Sequence, residues 1–449
     1  MDNSVSGKYK ELSGWGRFPR LRAEIHEPED SRAIAKRLAR TSSLIPRGAG
    51  CSYGDSALAN QVLSSLHLDN FIEFKPLRTS LTGSAGLSLG EILRFIVPHG
   101  TFLPVLPGTR HVSLGGAIAA DIHGKNHHTD GSFCDHVESF KLQLASGEIV
   151  HCNRQENAEL FAATCGGMGL TGMILEADLR LLRIENPWIN SRCLAADSLE
   201  SCLELLAEHA DWRYSVAWID CLSRGRNSGR SIIYLGDHAQ AESTLKPWYE
   251  SDCKLTVPFS TPSVLLNRLT LSAFNAIYYR RQRRRPERET LPYSSYFFPL
   301  DRLRHWNRLY GRKGFIQYQL LLPNDSALSG LTEILNRVAT SGEGSFLSVL
   351  KRLGPGNGYP LSFPGEGATL TLDFKFSRSL MALLNELDRI VLDHQGKLYL
   401  AKDARMSQEM FRAGYPNWAD FLRTKQQVDP GNIFSSLQSR RLGLTPPVS

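Results

Sequence analysis

The chain has 449 residues, 42% hydrophobic and 22% charged, with a formal net charge of +7. That length exceeds one ordinary core and predicts two or three domains, and the composition excludes a disordered chain. No run of about 18 uninterrupted apolar residues is present, which excludes a hydrophobic transmembrane helix, and the N-terminus lacks the apolar core of a secretory signal, so a cytoplasmic location is expected.

Residues 30–41 predict a helix capped by Asp30 or Ser31, because apolar residues recur there at helical spacing. A short strand and a glycine-rich loop follow in "SLIPRGAGCSYGD". Residues 88–97 predict a second helix, closed by Pro98. "VESFKLQLASGEIVHC" alternates on both sides of Ser146-Gly147 and predicts a β-hairpin. "AELFAATCGGMGLTGMILEADLRLLRI" predicts a helix, a glycine corner and a strand. Past Pro187 the glycine-rich loops stop. "SLESCLELLAEHA", "DSALSGLTEILNRVATSG" and "SLMALLNELDRIVLDHQG" predict helices, the last ended by Gly396. "YSVAWIDC", "GFIQYQLLLP", "FLSVLKRLGP" and "ATLTLDFKF" predict strands, and "KLYLAKDARMS" a strand and a polar turn. The fold class is α+β.

Cys51, Cys134, Cys152, Cys165, Cys193, Cys202, Cys221 and Cys253 form no C-x-x-C pair. This is neither a zinc-ribbon nor a disulfide pattern, and reduced thiols are expected. Six arginines stand against two glutamates in "YYRRQRRRPERET", residues 278–290. This run reads either as a solvated loop or as a contact for anionic groups such as a lipid face, and flanking aromatics suit a membrane interface. No nucleic-acid-binding signature accompanies it, so no nucleic-acid partner is expected.

Three glycine-rich loops lie in the first 175 residues. The first comprises Pro46, Arg47, Gly48, Ala49, Gly50, Cys51, Ser52, Tyr53, Gly54, Asp55 and Ser56. Glycines at 48, 50 and 54 let backbone N–H groups converge as in a diphosphate cradle, although the loop matches neither Walker A nor G-x-G-x-x-G. Alone it reads equally as a tight turn. The others are "LPGTRHVSLGGAIAADIHGKNHH" and "TCGGMGLTGMI". Together they suit one extended cofactor with a diphosphate. His123 and His127 have the spacing of H-E-x-x-H, but Gly124 interrupts the helix and no glutamate follows His123, so no metal is expected. His127 and His128 read also as hydrogen-bonding groups of a buried turn, and Asp121 as an acceptor for turn N–H groups.

"RGAGCSYGD", "PGTRHVSLGGAIAADIHGKNHH" and "GGMGLTG" resemble the FAD-binding half of the vanillyl-alcohol-oxidase superfamily. "DIHGKNHH", "FIQYQ", "PLSFP" and "LYLAKDAR" resemble the decaprenylphosphoryl-β-D-ribose 2-oxidases within it, the flavin half of a two-enzyme epimerase making a lipid-linked arabinose donor. The resemblance implies a two-domain fold: an FAD-binding domain, 1–186, completed by 397–449, around an antiparallel-sheet substrate domain, 187–396. It implies that the first loop wraps the FAD diphosphate. Gly108, Ser113, Leu114, Gly115, Gly116, Ala120, Asp121, Ile122 and His123 should line the flavin and its ribityl chain. Ile174 should touch the adenine side or the diphosphate, and Tyr399 and Lys402 the flavin ring. Gln317, Gln319, Lys351, Thr369, Thr371 and Lys402 should line the substrate side, with Trp218 as a wall.

The implied reaction is oxidation of the 2-hydroxyl of a polyprenylphosphoryl ribose to a 2-keto sugar, completed by an NAD(P)H-dependent reductase. Lys402 is the candidate cation beside the flavin, unless it pairs with Asp403, and His123 and Tyr53 are candidates for the proton path. Covalently flavinylated superfamily members carry histidine where Cys51 stands, so noncovalent FAD is expected. Mycobacterial relatives carry cysteine where Thr371 stands, and Ala368 and Thr369 also differ from them. The rival readings are an FAD oxidase of a soluble alditol or sugar lactone, and a noncatalytic flavoprotein. The expected location is cytoplasmic with peripheral contact to an anionic inner-membrane surface.

Overall fold

The computed structural model describes residues 8–240, 255–262 and 266–447, so Cys253 lies outside the described residues. Its frame is three sheets. Lys8–Ser13, Arg20–His26, Gln61–Ser64 and Ile45–Arg47 form a small mixed sheet in that spatial order. Phe71–Lys75, Ser80–Ser84, Met173–Arg180, Val137–Gln143 and Ile149–Asn153 form an antiparallel sheet. The strand after the third glycine loop thus inserts at its centre.

The largest sheet has eight strands. Its order is Arg288–Pro292, Trp188–Ala196, Ser231–His238, Tyr214–Ile219, Ser348–Leu353, Gly367–Lys375, Phe315–Leu322, Lys397–Leu398. Alternation sorts its residues by face. Leu320, Leu370, Leu372, Leu350, Ala217 and Ile233 share one apolar face and one core with buried residues of helices Leu199–Glu208, Asn324–Ser341 and Arg378–Asp393. Opposed residues on the other face include Gln317 and Asp373, Gln319 and Thr371, and Lys351 and Thr369.

Local chemistry explains the helix ends. Asp30 accepts the Ala33 N–H at the start of Ser31–Leu38, and Ser88 and Glu91 form a capping box at Leu89–Ile96. The C-terminal segment returns to the glycine-rich half. Arg441 pairs with Asp55 at 2.7 Å, and the buried Lys425 ammonium donates to the Leu170 carbonyl at 3.1 Å.

Two expectations need correction. Residues 278–290 are not one solvated loop. Helix Arg268–Gln282 runs into them and strand Arg288–Pro292 ends them. Asn267 caps that helix, while Leu271, Asn275, Tyr279 and Gln282 are buried, so one face is anchored. The "GGAIAADIHGKNHH" stretch is not only a turn. It holds helix Leu114–Ala119 and a single helical turn, His127–Asp130. Gly115 suits the first because a Cβ there would sit 2.9 Å from Ala85 Cβ.

Candidate active site

The first two glycine-rich loops meet at Ser113. Its hydroxyl is buried and has no hydrogen-bond partner among the described residues. A Cβ on Gly48 would lie 2.0 Å from it, and one on Gly116 2.9 Å. Gly108 faces open space, and Gly50 has φ +68°. An unsatisfied buried hydroxyl beside two glycines fits a cofactor diphosphate, which would supply the missing acceptor.

Several loop residues are engaged with protein instead. Arg47 donates to the Ser13 and Ala57 carbonyls at 2.8 and 3.1 Å. Pro46 packs beside Gly169, and a Cβ on Gly54 would meet the Asp403 carbonyl at 1.6 Å. The Ser52 carbonyl accepts from the Trp15 N–H, Ser56 is buried, and Asp55 holds Arg441. The Ala49 carbonyl accepts from the Cys51 thiol at 4.0 Å. Leu114, Ile122 and Ile174 are buried in the core. Asp121 is fully buried and accepts from the Cys134 N–H, Asn357 and Ser362 at 3.0, 2.7 and 2.6 Å. Its carboxylate is therefore a turn-holding group. His127 Nδ1 accepts the Gly354 N–H, and His128 Nε2 bonds the Trp212 carbonyl.

His123 sits where the glycine-rich half meets the polar sheet face. The Gln319 amide donates to its Nε2 at 2.8 Å and lies 3.2 Å from the Thr369 hydroxyl. Burial first, then the charges of Lys351, His127 and Lys402, holds its pKa well below the usual histidine value, so the imidazole is neutral. Its Nδ1 is buried with no partner of good geometry among the described residues. Tyr399 stacks on Phe363 at 4.5 Å and donates to the Ala120 carbonyl at 2.8 Å.

Lys402 projects its ammonium over the Tyr53 ring, 4.1 Å from the centroid. Asp403 does not pair with it, since that carboxylate binds Arg441 at 2.7 Å. Burial lowers the Lys402 pKa to about 8, against the raising influence of Asp373 and Cys51. Lys351 is lowered to about 8 by burial and by Lys402. Neither lysine forms a hydrogen bond or ion pair among the described residues. Two buried ammonium groups close enough to depress one another, with only Asp373 acting on Lys402 from nearby among the described residues, favour negative charge beside them.

Asp373 was missed by sequence reasoning. It is fully buried, accepts from Gln317 at 2.6 Å and Tyr310 at 3.4 Å, and is pushed up to about 7 by burial. Period-2 alternation in "ATLTLDFKF" was the available signal, since it places Asp373 on the face of Thr369 and Thr371. Gln317 also reaches the Tyr53 hydroxyl. Trp218 stands apart. Register links it through Val349 and Thr371 to Gln319, three strands or about 14 Å away. Its indole donates to the Phe346 carbonyl at 3.1 Å and packs on Tyr278 at 4.6 Å. Among the described residues no cluster of three histidine, cysteine or carboxylate side chains could hold a metal.

The fold and cradle define an FAD-dependent oxidoreductase. A family described as FAD binding domain matches residues 19–153, and one described as D-arabinono-1,4-lactone oxidase matches residues 368–442. The chain is 36% identical to the decaprenylphosphoryl-β-D-ribose oxidase of Mycolicibacterium smegmatis, over 97% of this chain and 98% of that protein. It is 33% identical to a Streptomyces coelicolor protein encoded in the mprA 5′ region, over 80% of this chain and all of that protein. Likeness to the D-arabinono-1,4-lactone oxidase of Yarrowia lipolytica is 29% over 37% of this chain and 32% of that enzyme. The chain belongs to the decaprenylphosphoryl-β-D-ribose oxidase family.

Proposed function

We propose that this enzyme oxidises the 2-hydroxyl of a polyprenylphosphoryl-β-D-ribose to the 2-keto sugar. The carrying observation is the polar sheet face, where Lys351, Lys402, Gln317 and Gln319 meet neutral His123. The near-full-length likeness to an oxidase of that substrate supports it, whereas the lactone oxidase likeness covers a third of the chain. The glycine-rich half, 1–186 with 397–449, would hold FAD, and 187–396 the sugar.

FAD when bound supplies a two-electron acceptor for the hydride leaving C2. The hydroxyl proton must leave in the same oxidation. His123, held neutral, can take that proton once Gln319 turns its amide to the sugar. Charged Lys402 stabilises the negative charge that develops beside it. Tyr53 forms the floor under that ammonium. The Cys51 thiol, raised to about 11 by burial, is a poor nucleophile, which supports noncovalent FAD.

A 2-keto product calls for a separate NAD(P)H-dependent reductase to complete an epimerisation. A lipid-linked substrate also calls for contact with an anionic membrane surface, and helix Arg268–Gln282 suits it. Leu269, Phe274 and Ile277 are exposed there, and Arg280, Arg281 and Arg284 form no ion pair among the described residues. No described helix is long and apolar enough to cross a membrane.

The test is anaerobic mixing of the FAD-loaded enzyme with farnesylphosphoryl-β-D-ribose. Bleaching of the flavin bands by this compound, and not by ribitol, is the expected result. Bleaching by ribitol or a sugar lactone alone would favour the soluble-substrate oxidase.

A further inference from the structure

A second cationic feature lies outside the polar sheet face. A cleft of about 310 Å³ is lined by Trp15, Arg17, Gly50, His305, Asn307 and Arg308, among others. Arg17 donates from Nη1 to the Ser260 hydroxyl at 3.2 Å and the Gly311 carbonyl at 3.3 Å. Arg308 donates from Nη1 to the Val257 and Pro258 carbonyls, both at 2.9 Å. Each guanidinium thus hangs from neutral oxygens by one nitrogen. Neither pairs with a carboxylate among the described residues, and the neighbouring Glu11 is engaged by Arg20 at 3.0 Å. Burial, Arg20 and Arg308 all weaken the hold of Arg17 on its proton. Two like charges share one cleft, each with donors to spare, and among the described residues only Glu11, already engaged by Arg20, acts against their repulsion.

The position relates this cleft to the chemistry. Gly50 precedes Cys51 and Tyr53, and Tyr53 carries the Lys402 ammonium over its ring. Trp15 packs on Trp306 at 5.8 Å, in the same aromatic cluster as Tyr53 and Phe315. The FAD diphosphate would take the cradle at Gly48, Ser113 and Gly116, which leaves this cleft for another anion. Its rim is apolar on one side. Phe259 and Leu255 are 70% and 66% exposed, on the segment whose carbonyls Arg308 grips. A small inorganic anion has no use for that rim, whereas a phosphate bearing a hydrocarbon chain uses both parts.

We propose that this cleft is the phosphate subsite for a prenyl phosphate, with Arg17 and Arg308 on the phosphate oxygens and Leu255 and Phe259 under the first prenyl units. The assignment rests on the lipid-linked substrate proposed above and names which residues recognise its phosphate.

The experiment is titration of the FAD-loaded full chain with farnesyl phosphate, inorganic phosphate and farnesol, read by quenching of tryptophan fluorescence. Farnesyl phosphate should bind saturably and lose affinity as salt rises. Arg308→Gln should weaken it at least tenfold while FAD absorbance stays intact. Arg308→Lys should recover only part of that loss, because a point charge replaces a planar fork. Inorganic phosphate should bind far more weakly than farnesyl phosphate. Absence of farnesyl phosphate binding, or binding that ignores both salt and Arg308→Gln, would overturn the subsite. Equal affinity for inorganic phosphate would overturn its lipid assignment. Should Arg308→Gln not fold, the salt response and phosphate competition of the unaltered protein decide. No turnover is involved. Farnesyl phosphate binding without oxidation of the lipid-linked ribose would therefore defeat the proposed reaction and leave the subsite standing.

Discussion

The two faces of the eight-stranded sheet are built from the same strands and follow opposite rules. On one, Leu320, Leu350, Leu370 and Leu372 are each fully buried against helices. On the other, Gln317, Gln319, Thr369 and Asp373 are also buried, yet polar. Burying polar groups costs stability unless each finds a partner. Gln317 and Gln319 find Asp373 and His123, while Lys351 and Lys402 find none among the described residues. One face lowers the free energy of folding, and the other holds groups in a state that a bound substrate and cofactor would satisfy. The contrast teaches that stability and reactivity here are divided by strand alternation, one residue apart.

Substitutions on each face sharpen that division. Lys402→Met should show the largest effect on activity, a fall in kcat on the order of 10²–10³, or about 3–4 kcal/mol, because a preorganised charge is removed. Its melting temperature should hold or rise, since the desolvation cost of a buried cation that forms no ion pair among the described residues goes with it. Stopped-flow flavin reduction beside calorimetry reads both, and equal losses in both would erase the contrast. Leu372→Ala, one residue from Thr371, should do the reverse. It should cost about 3 kcal/mol of stability through the cavity it leaves, while the folded fraction keeps its kcat. Denaturant unfolding with active-site titration checks this.

Asp373→Asn should give the smallest and most pH-dependent effect. Burial pushes the carboxyl up to about 7, well above the ordinary carboxylate value. An acid whose folded pKa is raised favours folding while protonated, and that contribution fades as pH rises from about 4 to about 7. The asparagine variant carries no such loss. It should therefore be more stable than the unaltered protein at pH 8, with the difference closing near pH 4. A difference that grows toward low pH would show that Asp373 is stabilised in its charged form.

Local pattern made much of the molecule legible. The helices at 31–38, 89–96, 199–208, 324–341 and 378–393, the hairpin turning at Ser146-Gly147, and strand Phe315–Leu322 all stand where periodicity and capping put them. The last turn of helix Arg268–Gln282 lies in the arginine run that reads as solvated loop or anion contact, because its charges hide the anchors Asn275 and Tyr279, which bind Asp220 and Asp197 at 2.8 and 2.7 Å. Asp55 and Asp121 sit within motifs that suggest cofactor contact, yet their carboxylates are taken by Arg441, Asn357 and Ser362. Nothing local distinguishes a carboxylate facing a ligand from one facing a distant arginine.

The sequence by itself determined the glycine loops, the two-faced strands and the family, because backbone freedom and alternation are properties of neighbouring residues. Only the tertiary structure decided the polar pairings: His123 with Gln319, Asp373 with Gln317, Arg441 with Asp55 and Asp403, and Arg17 beside Arg308. These join residues as much as 386 positions apart. Their geometry, burial and protonation depend on how separate strands and loops pack, which no short stretch of chain encodes.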